Sequence, residues 1–296
     1  MSQERKALDG TAFGAMVVLA MVWGFQQVPI KLTAPEVSLL MQGAIRSMVA
    51  TLLVLAWARW QGVALLARDG TLASGIAAGL LFAFEFVFIY FGLGHTAASR
   101  MSVFVYLAPV FAALGLHLFV PGERLAAMQW LGVLLAFAGV ALAFSEGFLS
   151  PTGATLLGDA CGLVAALLWA GTTVVIRATR LAQVSATKTL FYQIGLAALV
   201  LPVASWAMGE HGVVSLSAFA LASLAYQSVL VGFVSLLAWF WLLRRYLAGR
   251  LGVLSFMTPM FGVAAGVVFL AEPLTAHFAA GALLVAAGIA LVNLRR

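Results

Sequence analysis

The chain has 296 residues, of which 64% are hydrophobic and only 9% are charged, and its mean hydropathy is +1.09. This composition excludes an ordinary soluble domain, whose apolar share is about half, and indicates a protein that lies in a lipid bilayer. Cations in membrane loops explain the formal net charge of +6, so we expect no nucleic-acid partner.

Ten continuously apolar stretches follow one another along the chain, each close to the length of about 20 residues that a bilayer-spanning helix needs. Their continuity favours helices over barrel strands, which alternate in hydrophobicity. The predicted spans cover residues 12–32, 36–57, 71–94, 101–119, 125–144, 155–176, 187–207, 218–243, 251–271 and 275–293. The sequence therefore predicts an all-α membrane protein with ten transmembrane helices.

The sixteen lysines and arginines are distributed unevenly over the predicted loops. With the amino terminus inside the cell, thirteen of them lie on the cytoplasmic side, Lys31 and Arg100 lie outside, and Arg46 lies within a span. Positive charges favour the cytoplasmic side of membrane proteins. Both termini are therefore predicted to be cytoplasmic, as an even number of spans requires.

The sequence also repeats itself. Residues Trp23–Lys31 align with Trp169–Arg177 at an offset of 146, and Tyr106–Phe111 align with Phe256–Phe261 at an offset of 150. Further pairs follow at an offset of 149, among them Gly132 with Gly281 and Gly139 with Gly288. A duplicated membrane unit of this size is the usual build of a secondary transporter.

The two predicted repeats are residues 1–148 and 149–296, each with five spans. Because five is an odd number, the second repeat must enter the membrane with the opposite orientation. Two inverted bundles can exchange conformations around a fixed site at the bilayer midplane, which gives alternating access. We therefore predict two inverted five-helix repeats around a central cavity.

Arg46 and Glu85 are the charged residues predicted to lie deepest in the bilayer, within the second and third spans. Arg46 lies about ten residues into its helix, hence roughly 15 Å deep. Because a charge in hydrocarbon is costly, both side chains should face protein or water. Three interpretations are open: they contact the charged ends of a zwitterionic solute, they pair and lock two helices, or Glu85 carries a proton.

Trp23 and Trp169 are repeat mates well inside the first and sixth spans, whereas the other tryptophans lie near span ends, as in an interfacial belt. Gln27 and Thr173 follow them by four residues, hence on the same helix face. Such a face offers an aromatic wall and hydrogen-bonding groups to a site near the repeat axis, and ordinary helix packing is the alternative.

Other polar side chains at midspan depth come from five further spans, and each one alone is more often a helix contact than a ligand. Together they predict a cavity that is aromatic, mostly uncharged and moderately polar. The predicted lining residues are Trp23, Gln27, Gln42, Arg46, Glu85, Tyr90, Tyr106, Trp169, Thr173, Tyr192, Gln193 and Gln227.

Pro109 and Pro259 are repeat mates inside the fourth and ninth spans, where each removes a backbone donor. They mark either matched bends or gates, or kinks that the bundle tolerates. Close helix contacts are also predicted for three glycine pairs at four-residue spacing, namely Gly75 with Gly79, Gly158 with Gly162, and Gly262 with Gly266.

No residue set at membrane depth suits catalysis or nucleotide-driven pumping. The chain has no nucleophile-elbow pattern, no paired-histidine motif and no phosphate loop, and its single Cys161 excludes disulfides within one chain. We therefore expect that the protein is not an enzyme and that it has no cofactor and no metal site. A channel is the closer rival, but it needs a continuous polar lining, whereas the polar residues here concentrate near midspan.

The resemblance to a known family rests on several motifs together. Pro109 is followed by Pro121–Leu125, which reads PGERL, and Pro259 of the second copy is followed by Ala271–Leu274, which reads AEPL. This pattern resembles the EamA repeat of the drug/metabolite transporter superfamily, and Arg46 is similar to an arginine common in the second span of that family. The resemblance covers essentially the whole chain.

This resemblance implies a ten-helix, inverted-repeat carrier of the bacterial inner membrane. Within the family, the chain resembles the YddG-type exporters of aromatic and other amino acids, and a carrier for cationic drugs is the alternative of the same fold. By this likeness Glu123 and Glu272 are structural. The implied partners are a small-molecule substrate and the lipid bilayer; the oligomeric state is open, and a monomer is compatible with this build.

Overall fold

The computed structural model describes residues 9–119, 125–148, 154–246, 254–255 and 257–293. Within these ranges the regular secondary structure is helical, with one isolated antiparallel β-bridge between Val37 and Val213. Glu123 and the predicted boundary between residues 148 and 149 lie outside or at the edge of the described ranges, so their predicted roles are not addressed by the fold.

The helices of the first half are α1 (Gly10–Phe25), α2 (Gln27–Thr33), α3 (Leu39–Trp60), α4 (Leu72–Leu93), α5 (Ala98–Val105), α6 (Ala108–Phe119) and α7 (Ala127–Phe148). Those of the second half are α8 (Ala154–Ala178), α9 (Ala186–Ala207), α10 (Ala218–Ala225), α11 (Ser235–Arg245), α12 (Met257–Leu270) and α13 (Ala276–Asn293). A 3₁₀-helix at Arg180–Gln183 lies between α8 and α9, and a π-helix at Tyr226–Val234 joins α10 to α11.

Seven helical segments in the described ranges are long and apolar enough to cross a bilayer. They are Gly10–Thr33, Leu39–Trp60, Leu72–Leu93, Ala98–Phe119, Thr155–Ala178, Ala186–Ala207 and Ala218–Trp239. Three shorter apolar helices accompany them, at Ala127–Ala143, Met257–Leu270 and Ala276–Val292. The all-helical membrane fold is thus confirmed, and the count of ten spans stays a prediction.

Helices α7 and α13, which correspond to each other in the two repeats, pack antiparallel through glycines. The Gly132 Cα faces the Gly288 carbonyl, and the Gly139 Cα faces the Gly281 carbonyl, so closely that an added Cβ would collide with the partner backbone. The repeat offset of 149 converts one of these pairs into the other. The contact therefore has the approximate two-fold symmetry that an inverted repeat requires.

The three predicted glycine pairs all lie at helix contacts. At each of the six positions an added Cβ would collide with a side chain or the backbone of a neighbouring segment. The facing residues are Tyr192 for Gly75 and Gly79, Thr96 for Gly158, Phe104 for Gly162, Ser102 for Gly262, and Ser99 and Glu272 for Gly266. The predicted interface role of the glycines is confirmed.

Three predicted spans are interrupted where the hydropathy pattern predicts continuous helices. Gln26 separates α1 from α2, residues 106–107 separate α5 from α6, and the π-helix interrupts the eighth span. Pro29 and Pro109 lie in the first turn of the helix that follows each break. Proline is tolerated there because the first amides of a helix have no intrahelical acceptor.

One end of the bundle is held by a buried ion pair between the halves. Arg100 of α5 donates to both carboxylate oxygens of Asp159 of α8, with Nε 3.1 and 3.0 Å away, and to the Ala143 carbonyl at 2.8 Å. The Thr96 hydroxyl donates to the same carboxylate at 2.6 Å. Arg100 is predicted as an outer-loop cation, but α5 begins at Ala98, and the side chain is only 7% exposed.

A second carboxylate at the same end caps a helix of the opposite half. Glu272, in the loop after α12, accepts hydrogen bonds from the Ala98 amide at 2.6 Å and the Ser99 amide at 2.9 Å. Lys31 of α2 lies 3.8 Å from the same carboxylate and donates to the Thr96 carbonyl at 2.6 Å. This geometry agrees with the structural role that the family resemblance implies for Glu272.

Glu210 makes the equivalent kind of contact with α3. Its carboxylate accepts from the Leu40 amide at 3.0 Å and the Met41 amide at 3.1 Å, and the Ser205 hydroxyl donates to it at 2.7 Å. A negative charge at a helix N-terminus also interacts favourably with the helix dipole. Carboxylates of the second half therefore hold two helix ends of the first half.

Candidate functional site

A chain of buried hydrogen bonds joins three predicted lining residues from the second, third and eighth spans. The Tyr90 hydroxyl donates to Gln227 Oε1 at 3.1 Å, and Gln227 Nε2 donates to Gln42 Oε1 at 2.9 Å. Gln42 Nε2 in turn donates to the carbonyls of Ile30 and Val37, at 3.0 and 2.9 Å. The structure thus brings Gln42, Tyr90 and Gln227 together across the boundary between the halves.

Gln227 lies in the π-helical segment, and that segment accounts for its position. A π-helix contains one residue more per turn than an α-helix, and such segments often lie at functional sites. Gly232 in the same segment approaches the Ala50 side chain and the guanidinium of Arg46, so the backbone itself forms part of the surface beside the arginine. The hydropathy pattern contains no signal for this local geometry.

Arg46 and Glu85 are both buried, at 6% and 4% exposure, but they form no direct ion pair. The Arg46 guanidinium lies over the Phe86 ring, with its carbon 4.2 Å from the ring centroid, in a cation–π contact. Phe86 follows Glu85 on α4, so the cation approaches the helix beside the carboxylate and attracts it across a gap. The interpretation in which Arg46 and Glu85 form a direct ion pair that locks α3 to α4 is therefore wrong.

Several buried polar atoms near midspan have no hydrogen-bond partner in the described part of the protein. Glu85 Oε2, Thr258 Oγ1 and Gln27 Oε1 belong to this group, and Thr33 Oγ1 and Ser38 Oγ lie closer to a helix end. Leaving such a group unpaired costs roughly 1–3 kcal/mol, so each requires an explanation. Glu85 and Thr258 come from opposite halves, and the Tyr106 side chain lies near both of them.

The two repeat-related tryptophans each contact an aromatic side chain of the other half. Trp23 packs edge-to-face on Trp239 with centroids 5.9 Å apart, and its Nε1 donates to the Ser235 hydroxyl at 2.8 Å. Trp169 packs edge-to-face on Tyr106 with centroids 5.4 Å apart. Both rings are half-buried. The tryptophans therefore lie at the boundary between the halves, and their predicted role in lining a cavity stays a prediction.

The remaining predicted lining residues make different contacts. The Thr173 hydroxyl donates to the Trp169 carbonyl of its own helix at 3.2 Å. The Tyr192 ring packs on Gly75 of α4, and the Tyr192 backbone carbonyl approaches Gly79 one turn further along, so Tyr192 lies in a helix–helix contact. Gln193 is buried next to it on α9. The structure thus separates Tyr192 and its helix contact from the cluster around Gln227.

The matched prolines lie at the start of half-helices. Pro109 is the second residue of α6, after the break at residues 106–107, and Pro259 is the third residue of α12. The break in the fourth span adjoins Tyr106, and Thr258 precedes Pro259 in the first turn of α12, whose preceding residue lies outside the described ranges. The predicted role in gating stays a prediction.

Thr258 and Ser235 are two site residues that sequence reasoning misses. Both are single hydroxyl residues in apolar surroundings, a type that usually bonds to its own helix backbone. A signal for Thr258 exists, because its repeat mate at the 150 offset is Ala108, so the polar group is specific to the second half. No comparable signal identifies Ser235, whose importance follows from the Trp23 contact.

Comparison with known proteins gives a consistent result. The family model described as "EamA-like transporter family" matches the chain twice, at residues 11–145 and 156–294. A solved crystal structure superposes with a TM-score of 0.65 at 19% identity and covers 95% of both chains, which shows a shared fold.

Curated relatives are similar over most of the chain. An Escherichia coli protein named "Probable amino-acid metabolite efflux pump" is 27% identical over 280 residues, which is 92% of this chain and 91% of that protein. The "Uncharacterized transporter YoaV" of Bacillus subtilis is 23% identical over 93% of this chain and 94% of its own length. "Uncharacterized transporter YvbV" of the same organism is 29% identical, and the match covers 68% of this chain and 65% of that protein.

Proposed function

This chain belongs to the EamA-like transporter family, and on that premise we propose that it exports amino acids, including aromatic ones, and related small metabolites by alternating access. The observation that carries the proposal is the buried Glu85 carboxylate, whose Oε2 has no hydrogen-bond partner in the described part of the chain and which forms no ion pair with the nearby Arg46. A relative named as an amino-acid metabolite efflux pump supports the substrate class.

The charges at the proposed site suit a zwitterion. Arg46 supplies a cation for a carboxylate, and Glu85 supplies an unpartnered acceptor for an ammonium group. Because the two residues do not pair with each other, a solute with both charges supplies each with a partner at once. Trp23 and Trp169 offer aromatic surfaces on the two halves, which suits apolar and aromatic side chains of the solute.

The architecture supports transport of a solute by exchange between two conformations that the approximate two-fold symmetry of the repeats relates. The repeat-related helices α7 and α13 run antiparallel, and the fourth span is interrupted next to Pro109, whose repeat mate Pro259 is the third residue of α12. Opening one side of such a pair while closing the other exposes a midspan site alternately to each side. We place the protein in a bacterial-type inner membrane with both termini in the cytoplasm, because most of its cations lie on that side in the predicted topology.

The test is transport by the purified chain in proteoliposomes loaded with unlabelled amino acid and diluted into labelled amino acid. Saturable uptake that is stimulated by internal substrate indicates a carrier, whereas fast, unsaturable flux indicates a channel. Arg46→Gln should lower the uptake of leucine and phenylalanine about tenfold or more, as expected for a lost charged hydrogen bond. The matched control is Arg59→Gln, since Arg59 is exposed in the last turn of α3.

Efflux of cationic drugs is the second candidate, and the unpartnered Glu85 carboxylate among aromatic residues favours it. A cationic solute without a carboxylate group would interact with Glu85 and would make no favourable contact with Arg46. Uptake of a labelled quaternary cation that survives Arg46→Gln, together with absent amino-acid uptake by the wild type, would replace the amino-acid assignment with this one.

A further inference from the structure

A cavity of about 420 Å³ opens at the end of the bundle away from the Arg100 and Glu272 contacts. One wall is the loop between α3 and α4 in the first half, and the other is the segment between α8 and α9 in the second half. Asp69, Thr71, Arg180, Ser185 and Lys188 contribute to its lining. The cavity therefore lies between the two halves and is separate from the midspan site.

The lining has an excess of positive charge. Lys188 is 3% exposed and donates to Asp69 Oδ2 at 2.7 Å and to the Ala67 carbonyl at 2.9 Å. Hydrogen bonds from Lys188 and Thr71 lower the pKa of Asp69 to about 2, so this acid is ionised at neutral pH and balances the lysine. Arg180 is exposed beside Gly70 and has no acid partner in the described part of the chain.

Two helices also begin at this cavity. Thr71 and Ser185 are the residues before the first turns of α4 and α9, two helices of 22 residues. The Thr71 hydroxyl donates to Asp69 and does not cap α4, so it leaves the first amides of that helix without a side-chain acceptor. The positive ends of both helix dipoles add to the charge of Arg180 and favour an anion.

Large apolar side chains beside the cavity place it at the membrane surface. Trp60 at the end of α3 is 76% exposed, Leu66 in the loop is 87% exposed, and Leu72 at the start of α4 is 64% exposed. Tryptophan is enriched at the headgroup level of a bilayer, and the exposed leucines beside it suit contact with lipid. The headgroup of a lipid at this surface therefore lies within reach of the cavity.

We propose that this cavity binds the phosphate group of an anionic phospholipid, with Arg180 and the N-terminal end of α4 as the main contacts. Because one wall belongs to each half, the bound headgroup holds the two loops together beside the Asp69–Lys188 pair. Basic pockets between membrane helices are known binding sites for anionic headgroups. The binding does not depend on which solute is transported.

The experiment is native mass spectrometry of the purified full-length chain with equal amounts of phosphatidylglycerol and phosphatidylcholine of the same acyl chains. The wild type should retain phosphatidylglycerol preferentially. Arg180→Gln should lower that preference about fivefold, the change expected for one basic residue. Arg180→Lys, which keeps the charge, should retain most of it. The matched control is Arg59→Gln, which removes an exposed charge from the same end of the bundle but not from the lining.

Two results would overturn the proposal. Equal retention of both lipids by the wild type excludes a site for an anionic headgroup, and an equal loss in Arg180→Gln and Arg59→Gln shows a diffuse surface effect. A third arm adds inorganic phosphate at low millimolar concentration. Retention of phosphatidylglycerol under these conditions supports the lipid as the source of the phosphate, whereas its displacement overturns the lipid and assigns the cavity to a soluble anion.

Discussion

Carboxylates at one end of the bundle and the carboxylate at its middle differ in their partners. Asp159 accepts hydrogen bonds from Arg100 and Thr96, and Glu272 accepts from two amides of α5. Glu85 Oε2 at midspan has no partner in the described part of the chain. An unpaired buried acceptor costs roughly 1–3 kcal/mol of folding free energy. The carboxylates at the end of the bundle avoid this cost through their hydrogen bonds, whereas Glu85 at midspan does not. We infer that the end groups maintain the fold and that the midspan group serves transport.

The largest expected effect on stability follows from breaking the buried ion pair between Arg100 and Asp159. Arg100→Ala leaves Asp159 charged and without its main partner, so we expect a loss of about 3–5 kcal/mol in the free energy of unfolding. The measurement is thermal unfolding in detergent, with the monodispersity of the purified protein as a second readout. Arg59→Ala is the matched control, because Arg59 is exposed and should change stability little. An unchanged unfolding temperature for Arg100→Ala would contradict the structural assignment.

The midspan carboxylate should show the opposite behaviour. Glu85→Gln removes a buried charge that Arg46 attracts only across a gap and whose Oε2 accepts no hydrogen bond, so stability should stay the same or rise, while amino-acid uptake falls about tenfold or more. The measurement combines thermal unfolding with counterflow in proteoliposomes. Flux measured with and without a pH gradient adds a further distinction. Unchanged flux under both conditions excludes Glu85 as an obligatory proton carrier and as a substrate contact.

Long, strongly apolar elements are predictable from this sequence because their signal is local. The third predicted span, residues 71–94, agrees with α4 within one residue at each end. The correspondence of Gly132 with Gly281 is likewise visible in the repeat, because it compares two stretches of the same chain. The packing of α7 on α13 through these glycines is visible only in the fold.

Polar contacts between distant segments are not predictable in this way. Arg100 looks like a loop cation, and only the fold brings it to Asp159, 59 positions away. Tyr90, Gln42 and Gln227 are predicted as separate lining residues, whereas their mutual hydrogen bonds depend on the π-helix, for which hydropathy has no signal. Thr258 is missed because a lone hydroxyl in a helix usually bonds to its own backbone.

A smaller effect is expected at the aromatic contacts between the halves. Trp23→Ala removes an edge-to-face contact with Trp239 and a hydrogen bond to Ser235, and Trp169→Ala removes the contact with Tyr106. We expect several-fold lower uptake in both variants with the protein still folded, since aromatic pairs contribute about 0.5–1.5 kcal/mol beyond the area they bury. Uptake kinetics and thermal unfolding are the measurements.

The control for these variants is Trp60→Ala, because Trp60 is 76% exposed at the end of α3. It should leave uptake unchanged. Wild-type kinetics in both Trp23→Ala and Trp169→Ala would count against a cavity that these residues line.

The smallest effect concerns the opposite end, where Asp69 pairs with Lys188. The hydrogen bond from Lys188 lowers the pKa of Asp69 from 3.8 to about 2 in the folded protein. A lowered folded-state pKa gives a contribution that is present above the unfolded value of 3.8 and is lost as the pH falls towards 2. Asp69→Asn should therefore lower the unfolding temperature at pH 7, where the buried Lys188 loses its acid partner, and should flatten the fall in unfolding temperature between pH 4 and 2. Unfolding scans of wild type and variant across this range measure the difference. Parallel curves would show that this end, unlike the Arg100 end, does not depend on its ion pair.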